Sequence, residues 1–366
     1  MQCTSCRLIQ FRNFIDKSIF PDKNLTILTG VNGAGKTNVL EAIYMASIGR
    51  SFRTHQEMEL IGFPFDECTI LLYFIVRDME HEIKVKLSKN KGKKLFLNDN
   101  QVSRKELLGL FRSVLFTPDE MKLIKGVPKD RRRFIDMELS QINPRYYEEL
   151  SRYNRAVSQR NAAFRNAKYT GKMPDVDMWD MQIALGASYL VKKRLEAIRK
   201  MNKTVLQMQS ILTNNKEELQ IVYKQFASEK IETDVDWYIH KLVQNREEDF
   251  RLGHTSIGPH RDDLIFFLNG KNIDSFGSQG QQRTAILAMK LAEIQFIKEE
   301  TGAYPILLLD DVTGELDEQR RQALLGYIKE HHVQTIMTTA VLPTVDYGVT
   351  YTIEKRGIGG SDVLSK

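Results

Sequence analysis

Leu25-Thr26-Ile27-Leu28-Thr29 runs directly into Gly30-Val31-Asn32-Gly33-Ala34-Gly35-Lys36-Thr37-Asn38, and this stretch decides the fold. Its first five residues are apolar or β-branched, bounded by Asp22-Lys23-Asn24 and by Gly30, which predicts a short strand. From Thr37 onward Val39, Leu40, Ile43 and Tyr44 recur at helical spacing. Between strand and helix, Gly30 to Thr37 satisfy G-x-x-x-x-G-K-[ST] at every defined position, in the setting that gives the motif meaning. Glycines let the backbone wrap a phosphate where a Cβ would block the required φ values. The loop amides and the helix N-terminus supply donors and partial positive charge. Gly30, Val31, Asn32, Gly33, Ala34, Gly35, Lys36, Thr37 and Asn38 are therefore the expected nucleotide-binding residues. Lys36 is expected to reach the β- and γ-phosphates of ATP, and the Thr37 hydroxyl to ligate Mg²⁺.

Downstream, Ile306-Leu307-Leu308-Leu309 reads as a fully buried strand that delivers Asp310 and Asp311 to its end. Asp310 is the expected second Mg²⁺ residue, and Asp311 the expected base or orienter for the attacking water. Upstream of that strand, Ser278-Gln279-Gly280-Gln281-Gln282 opens a helical pattern that runs to about Glu300. A serine hydroxyl at a helix N-terminus is an anion-binding device. This loop resembles the ABC/SMC signature, which in such proteins contacts the γ-phosphate held by a partner subunit, so Ser278, Gly280 and Gln281 join the candidate site. Gly314-Glu315-Leu316-Asp317 resembles the D-loop of the same dimer interface.

Around these motifs the chain alternates in character. Residues 68–76 and 82–98 predict strands joined by polar turns, with Asn90-Lys91-Gly92 as a hairpin turn. From about 119 the pattern turns helical, and Val191, Leu195, Ile198 and Val205 form an amphipathic stripe. Strand character returns at Leu264–Leu268, before the turn Asn269-Gly270, and again at Gln334–Ala340. The expectation is an α/β P-loop NTPase of ABC/SMC-head type with a β-rich subdomain and a helical second lobe. Residues 1–118 and 255–366 would be two halves of the ATPase lobe, and 119–254 the helical insertion.

With 366 residues and three cysteines, the chain fits a reducing cytoplasm rather than a disulfide scaffold. It has no apolar run long enough for a membrane span and no signal-peptide layout at its start. Cys3 and Cys6 form a lone Cys-x-x-Cys without a second ligand pair and read as strand residues. The formal net charge of +6 is unevenly spread. Residues 84–94 hold six lysines and no acid, and residues 121–165 hold eleven Lys or Arg against five Asp or Glu. Such segregation points to a polyanion, bound through its backbone and independently of sequence. Arg131-Arg132-Arg133 and Lys91, Lys93 and Lys94 are the candidate phosphate contacts; for the arginine run a solvated helix face is the alternative. Tyr146, Tyr147, Tyr153 and Phe164 read as packing, with base stacking as the sharper alternative. His260 and Arg261 read as a structural loop before the 264–268 strand, with a catalytic role as the alternative.

Several strings go beyond generic P-loop features: Phe11-Arg12-Asn13-Phe14, Gly49-Arg50-Ser51-Phe52-Arg53-Thr54, Arg131-Arg132-Arg133-Phe134, Gly258-Pro259-His260-Arg261-Asp262-Asp263 and Ser278 to Arg283. With the nucleotide motifs they make the chain resemble the RecF family over nearly its full length. That resemblance implies ATP-dependent homodimerisation into a DNA clamp, weak DNA-stimulated ATP hydrolysis, and work alongside RecO and RecR in recombinational gap repair, replication restart and the SOS response. Three departures imply slow turnover: Gly314 where the family's D-loop has serine, no histidine at the usual ABC switch position Thr338-Thr339-Ala340, which the RecF family generally lacks too, and no Q-loop glutamine near Phe116-Thr117-Pro118-Asp119-Glu120. The competing readings are another short SMC-type head, against which the absence of sustained heptads argues, and an ABC module with no DNA partner.

Overall fold

In the computed structural model of the protein the described residues are 1–169, 171–311, 316–339 and 347–354. The chain divides into two compact units, residues 1–120 together with those from 293 on, and residues 121–292.

The first unit holds two sheets. One is parallel, with β3 (Leu25–Thr29), β8 (Ser113–Phe116), β12 (Ile306–Asp310), β13 (Thr335–Thr338) and β14 (Val349–Thr352) in the order β14-β3-β13-β12-β8. Every residue of β8, β12 and β13 is buried, and their sequences are mostly apolar or β-branched rather than alternating. The helix Lys36–Ile48 leaves the loop after β3 and buries every residue from Val39 to Ile48, Glu41 and Ser47 included. The other sheet is antiparallel, with β1 (Gln2–Phe11), β2 (Phe14–Ile19), β4 (Glu67–Val76), β5 (Met79–Ser88), β6 (Gly92–Leu97) and β7 (Asn100–Val102) in the order β2-β1-β4-β5-β6-β7. Ser88 pairs with Gly92, so the expected hairpin turn is present. Cys3 and Cys6 lie in β1 and Cys68 in β4; all are buried, and burial pushes the Cys6 and Cys68 thiols up to about 12.

The strand expected at Gln334–Ala340 is shorter, and Ala340 lies outside the described residues. Gln334 serves instead as a clamp between the two sheets. Its amide accepts from Cys3 N (2.7 Å) and donates to Cys3 O (2.8 Å) and Asp22 O (2.9 Å). A glutamine beside a strand carries no sequence signal for that use.

The second unit is mainly helical, with helices Pro128–Ile142, Pro144–Ala167, Asp177–Thr213, Val235–Gln244 and Arg246–Leu252. It also contains a small sheet, β11-β10-β9, formed by β9 (Leu219–Lys224), β10 (Asp263–Leu268) and β11 (Lys271–Asn272). That sheet moves the expected boundaries. β10 pairs antiparallel with β9 from Asp263↔Lys224 to Leu268↔Leu219, so residues 255–292, signature loop included, belong with the helical unit and not with the ATPase lobe. The first boundary falls after Glu120 rather than at 118.

Buried charge organises this unit. Arg160 is fully buried, donating to Asp180 (2.6 Å), Asp249 (2.6 Å) and Thr255 Oγ1 (3.0 Å). Arg194 replaces the expected Leu195 at the inner face of helix Asp177–Thr213. It forks onto Asp136 (3.0 Å twice) and donates to Pro259 O (2.8 Å). Buried guanidinium groups survive only when so paired.

Candidate functional site

The phosphate loop is shaped by three left-handed glycines, Gly30 (φ 138°), Gly33 (81°) and Gly35 (110°). A side chain on Gly30 would run into the Ile353 carbonyl, and one on Gly35 would lie 2.6 Å from Asn13 Nδ2. Ala34 is buried and closes the turn through its N–H to Val31 O (3.1 Å), while Val31, Asn32 and Gly33 form an exposed tip. The Lys36 ammonium curls into the loop, donating to the Gly30 carbonyl at 2.6 Å and the Val31 carbonyl at 3.3 Å.

Thr37 and Asp310 come together although 273 residues separate them. The Thr37 hydroxyl donates to Asp310 Oδ1 at 2.7 Å, and Thr338 Oγ1 donates to the same oxygen at 2.9 Å. Asp310 is buried at the end of β12. A hydroxyl and a carboxylate at this separation are an oxygen pair suited to a hard cation, so Thr37 and Asp310 fit Mg²⁺, which would draw off phosphate charge there. Asp311 follows with a left-handed backbone (φ 53°), its N–H held by Thr338 O (3.2 Å) and Oγ1 (2.9 Å), and it is exposed. Thr338, at the end of the strand that lacks a histidine, thus positions both aspartates.

A hub beside the loop joins Glu41, which no motif includes, to the strings Phe11–Phe14 and Gly49–Thr54 and to Asn38. Glu41 is fully buried, accepts both Arg12 Nε (3.0 Å) and Nη2 (2.8 Å), and also accepts Ser51 Oγ (2.5 Å) and Arg53 Nη1 (3.3 Å). Arg53 Nη1 donates to Asn38 Oδ1 (2.7 Å), Asn38 Nδ2 to Asn13 Oδ1 (2.7 Å), and Asn13 Nδ2 to the Ala34 carbonyl (2.7 Å). The loop is therefore braced through Asn38 by two strings that looked like mere family markers. The available signal was Glu41 itself, a lone carboxylate in the apolar run Val39-Leu40-Glu41-Ala42-Ile43.

In the second unit Ser278 sits at the start of helix Gln279–Thr301. Its hydroxyl accepts from Gln281 N (3.2 Å) and its N–H donates to Gln281 Oε1 (2.8 Å), a reciprocal capping box. Gln281 Nε2 donates to Glu217 Oε1 at 2.8 Å, so this side chain is engaged within the unit. Buried Gln282 donates to the carbonyls of Ile273 and Gly277, each at 3.1 Å. Gly280 is half-buried and Ser278 exposed. In the D-loop, Gly314 and Glu315 lie outside the described residues, whereas Asp317 caps helix Glu318–Glu330.

The basic stretches are less available than their charge suggests. Arg131 forks onto Asp263 (2.7 and 2.9 Å) and donates to Gly126 O (2.8 Å); Arg132 donates to Asp262 O (2.5 Å). Only Arg133 of the three is exposed. Lys93 pairs with Glu57 and Lys84 with Asp99, leaving Lys86, Lys91 and Lys94 exposed on the hairpin. Tyr146, Tyr153 and Phe164 are buried, so they pack rather than stack on bases. Tyr153 OH is hydrogen-bonded to His260 Nδ1, and His260 Nε2 lies 3.0 Å from Thr255 O. Burial, reinforced by Arg261, Arg132 and Arg194, lowers the His260 pKa to about 4, and the ring is a neutral structural element. Arg261 is exposed, over the Phe226 ring at 5.2 Å.

A parallel sheet with a phosphate loop, a Thr–Asp oxygen pair and a separate capped Ser-Gln-Gly-Gln loop defines a P-loop ATPase of the ABC/SMC-head class. The family described as RecF/RecN/SMC N terminal domain matches residues 3–348, and the chain belongs to the RecF family. It is 38% identical over 93% of both chains to the DNA replication and repair protein RecF of Alkaliphilus oremlandii, and 41% identical over 90% of both to that of Halothermothrix orenii. A solved structure of the recombination mediator protein RecF with ATP superposes with a TM-score of 0.89 at 30% identity, covering 96% of this chain and 95% of that one. An Smc head bound to the C-winged helix domain of ScpA shares the fold alone, with a TM-score of 0.54 at 17% identity over 93% and 90% of the two chains. Among the described residues, no helix is long and apolar enough to cross a membrane.

Proposed function

We propose that this chain is an ATP-gated DNA clamp of recombinational repair. Two copies would close when ATP on Gly30–Asn38 of one copy meets Ser278 and Gly280 of the other, and slow hydrolysis with Asp311 as base would release them. The observation that carries this reading is the signature loop. It is a preformed, exposed helix N-terminus with its serine already oriented by a capping box, and it belongs to a different compact unit from the phosphate loop. DNA replication and repair in the named relatives, and the RecFOR pathway of the ATP-bound one, support DNA as the ligand and RecO and RecR as partners. Gap repair, replication restart and the SOS response are part of the proposal through the family resemblance.

The DNA contacts would be the exposed cations: Lys129 and Arg133 on helix Pro128–Ile142, Arg152 and Arg155 on helix Pro144–Ala167, and Lys86, Lys91 and Lys94 on the hairpin, whereas Arg131, Arg132 and Lys93 are held in internal bonds and drop out. These are flexible phosphate contacts without base-reading geometry.

Ser278→Arg tests the interface. ATP binding to the monomer stays as in the parent, whereas the dimer seen by sedimentation with a non-hydrolysable ATP analogue weakens at least about 100-fold, near 2.7 kcal/mol. A variant that dimerises normally removes the signature loop from the interface and the clamp with it.

A further inference from the structure

Between the long helix Asp177–Thr213 and the signature loop lies a side chain that none of the motifs includes. Glu217 sits in the turn where helix Asp177–Thr213 gives way to β9, after Asn214 and Asn215 at left-handed φ of 53° and 59°. One carboxylate oxygen accepts from Gln281 Nε2 (2.8 Å) and the other from Gln209 Nε2 (2.9 Å). Gln209 is fully buried one turn before the helix ends and its own Oε1 is unsatisfied, so among the described residues Glu217 is the one hydrogen-bond partner of its side-chain amide. The turn is fixed from the other side too: Glu218 N donates to Asn269 Oδ1 (2.8 Å), and Asn269 N donates back to Glu218 O (2.9 Å).

We propose that Glu217 is a positioning residue for the signature loop. Gln281 has one amide and two tasks. Its oxygen must stay on Ser278 N for Ser278 Oγ to face the Gln281 N–H, and a freely rotating amide would spend part of its time elsewhere. By accepting from the amide nitrogen, Glu217 fixes both the flip and the rotamer of Gln281, and so the direction of the Ser278 hydroxyl. A charge-assisted hydrogen bond is about twice as strong as a neutral one, which suits a carboxylate to this duty. Through Gln209 the same carboxylate ties the signature loop to the last turn of the 37-residue helix.

The dimer part of this inference rests on the clamp proposed above; the loop part does not, and the experiment separates them. Amide hydrogen exchange of residues 277–282 in the ATP-free protein reads the loop alone. Glu217→Ala raises exchange at Ser278 and Gln281 about tenfold while the rest of the second unit keeps its protection. In the same variant monomer ATP affinity is unchanged, and ATP-driven dimerisation weakens about tenfold. Glu217→Gln keeps one acceptor oxygen and gives a smaller change. The pair Glu217→Gln with Gln281→Glu again sets a carboxylate against an amide and restores protection at Ser278. Unchanged exchange in Glu217→Ala, or no recovery in the reciprocal pair, overturns the positioning role. Faster exchange in a protein whose parent never dimerises with ATP leaves the positioning role standing and removes the clamp.

Discussion

The two halves of the proposed ATP site are built in opposite ways. In the first unit the phosphate loop is nine consecutive residues whose glycines dictate its path, and its long-range support comes late, through Asn13, Asn38 and Glu41. In the second unit the signature loop is short and weakly informative by itself. What holds that unit is buried charge gathered from distant positions: Arg160 with Asp180 and Asp249, Arg194 with Asp136 and Pro259 O. A backbone-encoded site concentrates its chemistry in few side chains, which can be changed at little cost to stability. A unit held by buried ion pairs ties each of those side chains to its folding. Single substitutions in the two units therefore sort differently between activity and folding.

The largest expected effect is on the first side of that contrast. Lys36 is half-exposed and, among the described residues, bonds only to loop carbonyls, so Lys36→Met removes the expected phosphate partner without opening the core. ATP binding or turnover falls by about 100-fold or more, while the melting temperature moves by less than about 2 °C. Equal affinity and equal turnover in the variant break the assignment of the loop.

In the second unit Arg194→Met reverses the pattern. It leaves the Asp136 carboxylate and the Pro259 carbonyl without their guanidinium, and losing one member of a buried pair costs about 3–5 kcal/mol. Urea unfolding reads the loss directly. Adding Asp136→Leu recovers part of it, because the stranded charge is then gone as well. If Arg194→Met unfolds at the parent's urea concentration, the charged core is not what holds this unit.

That division also sets what could be read from the sequence. The loop, the strand ending at Asp310, and the helix opening at Ser278 are contiguous patterns, and each is found where its spacing put it. β9 escaped because Leu219-Gln-Ile-Val-Tyr-Lys224 is a short alternating run between helices, and missing it misplaced the second boundary. The stripe on helix Asp177–Thr213 was legible only in its middle, because Met178, Met181 and Leu185 are exposed apolar residues that blur the period. Arg131 was misjudged for another reason: formal charge along a chain says nothing of a carboxylate at Asp263, 132 positions away.

His260 sharpens the contrast at smaller scale. Burial holds its pKa near 4, below the ordinary value of 6.5, so as pH falls through this window the unfolded chain takes up a proton that the folded one resists. Stability from this group is complete above about 6.5 and is lost on the way down to 4, with a slope of at most about 1.4 kcal/mol per pH unit. His260→Gln flattens the urea-midpoint profile between pH 6.5 and 5. Parallel profiles for parent and variant show that the ring is not enclosed by Tyr153 and Thr255.

The smallest effects belong to the exposed cations, and they test where the proposed DNA contacts lie. Arg152 and Arg155 are three residues apart on helix Pro144–Ala167, hence on one face, and both are exposed; Arg152 pairs with Glu149 at the surface, a weak interaction. Such side chains neutralise phosphates at little cost in stability. On duplex DNA each neutralised phosphate adds about −0.9 to the slope of log affinity against log salt. Changing both to Gln flattens that slope by about 1.8 if each meets one phosphate, and affinity falls similarly for unrelated sequences. Arg131→Gln is the control from the same basic stretch. It breaks a half-buried fork onto Asp263, so it lowers stability but leaves the salt slope alone. Were the slope to follow Arg131 and ignore Arg152 and Arg155, the fork would have to open on DNA and the proposed contacts would be wrong. A slope insensitive to every one of these changes, including Lys86, Lys91 and Lys94, would make both basic stretches solvated surface.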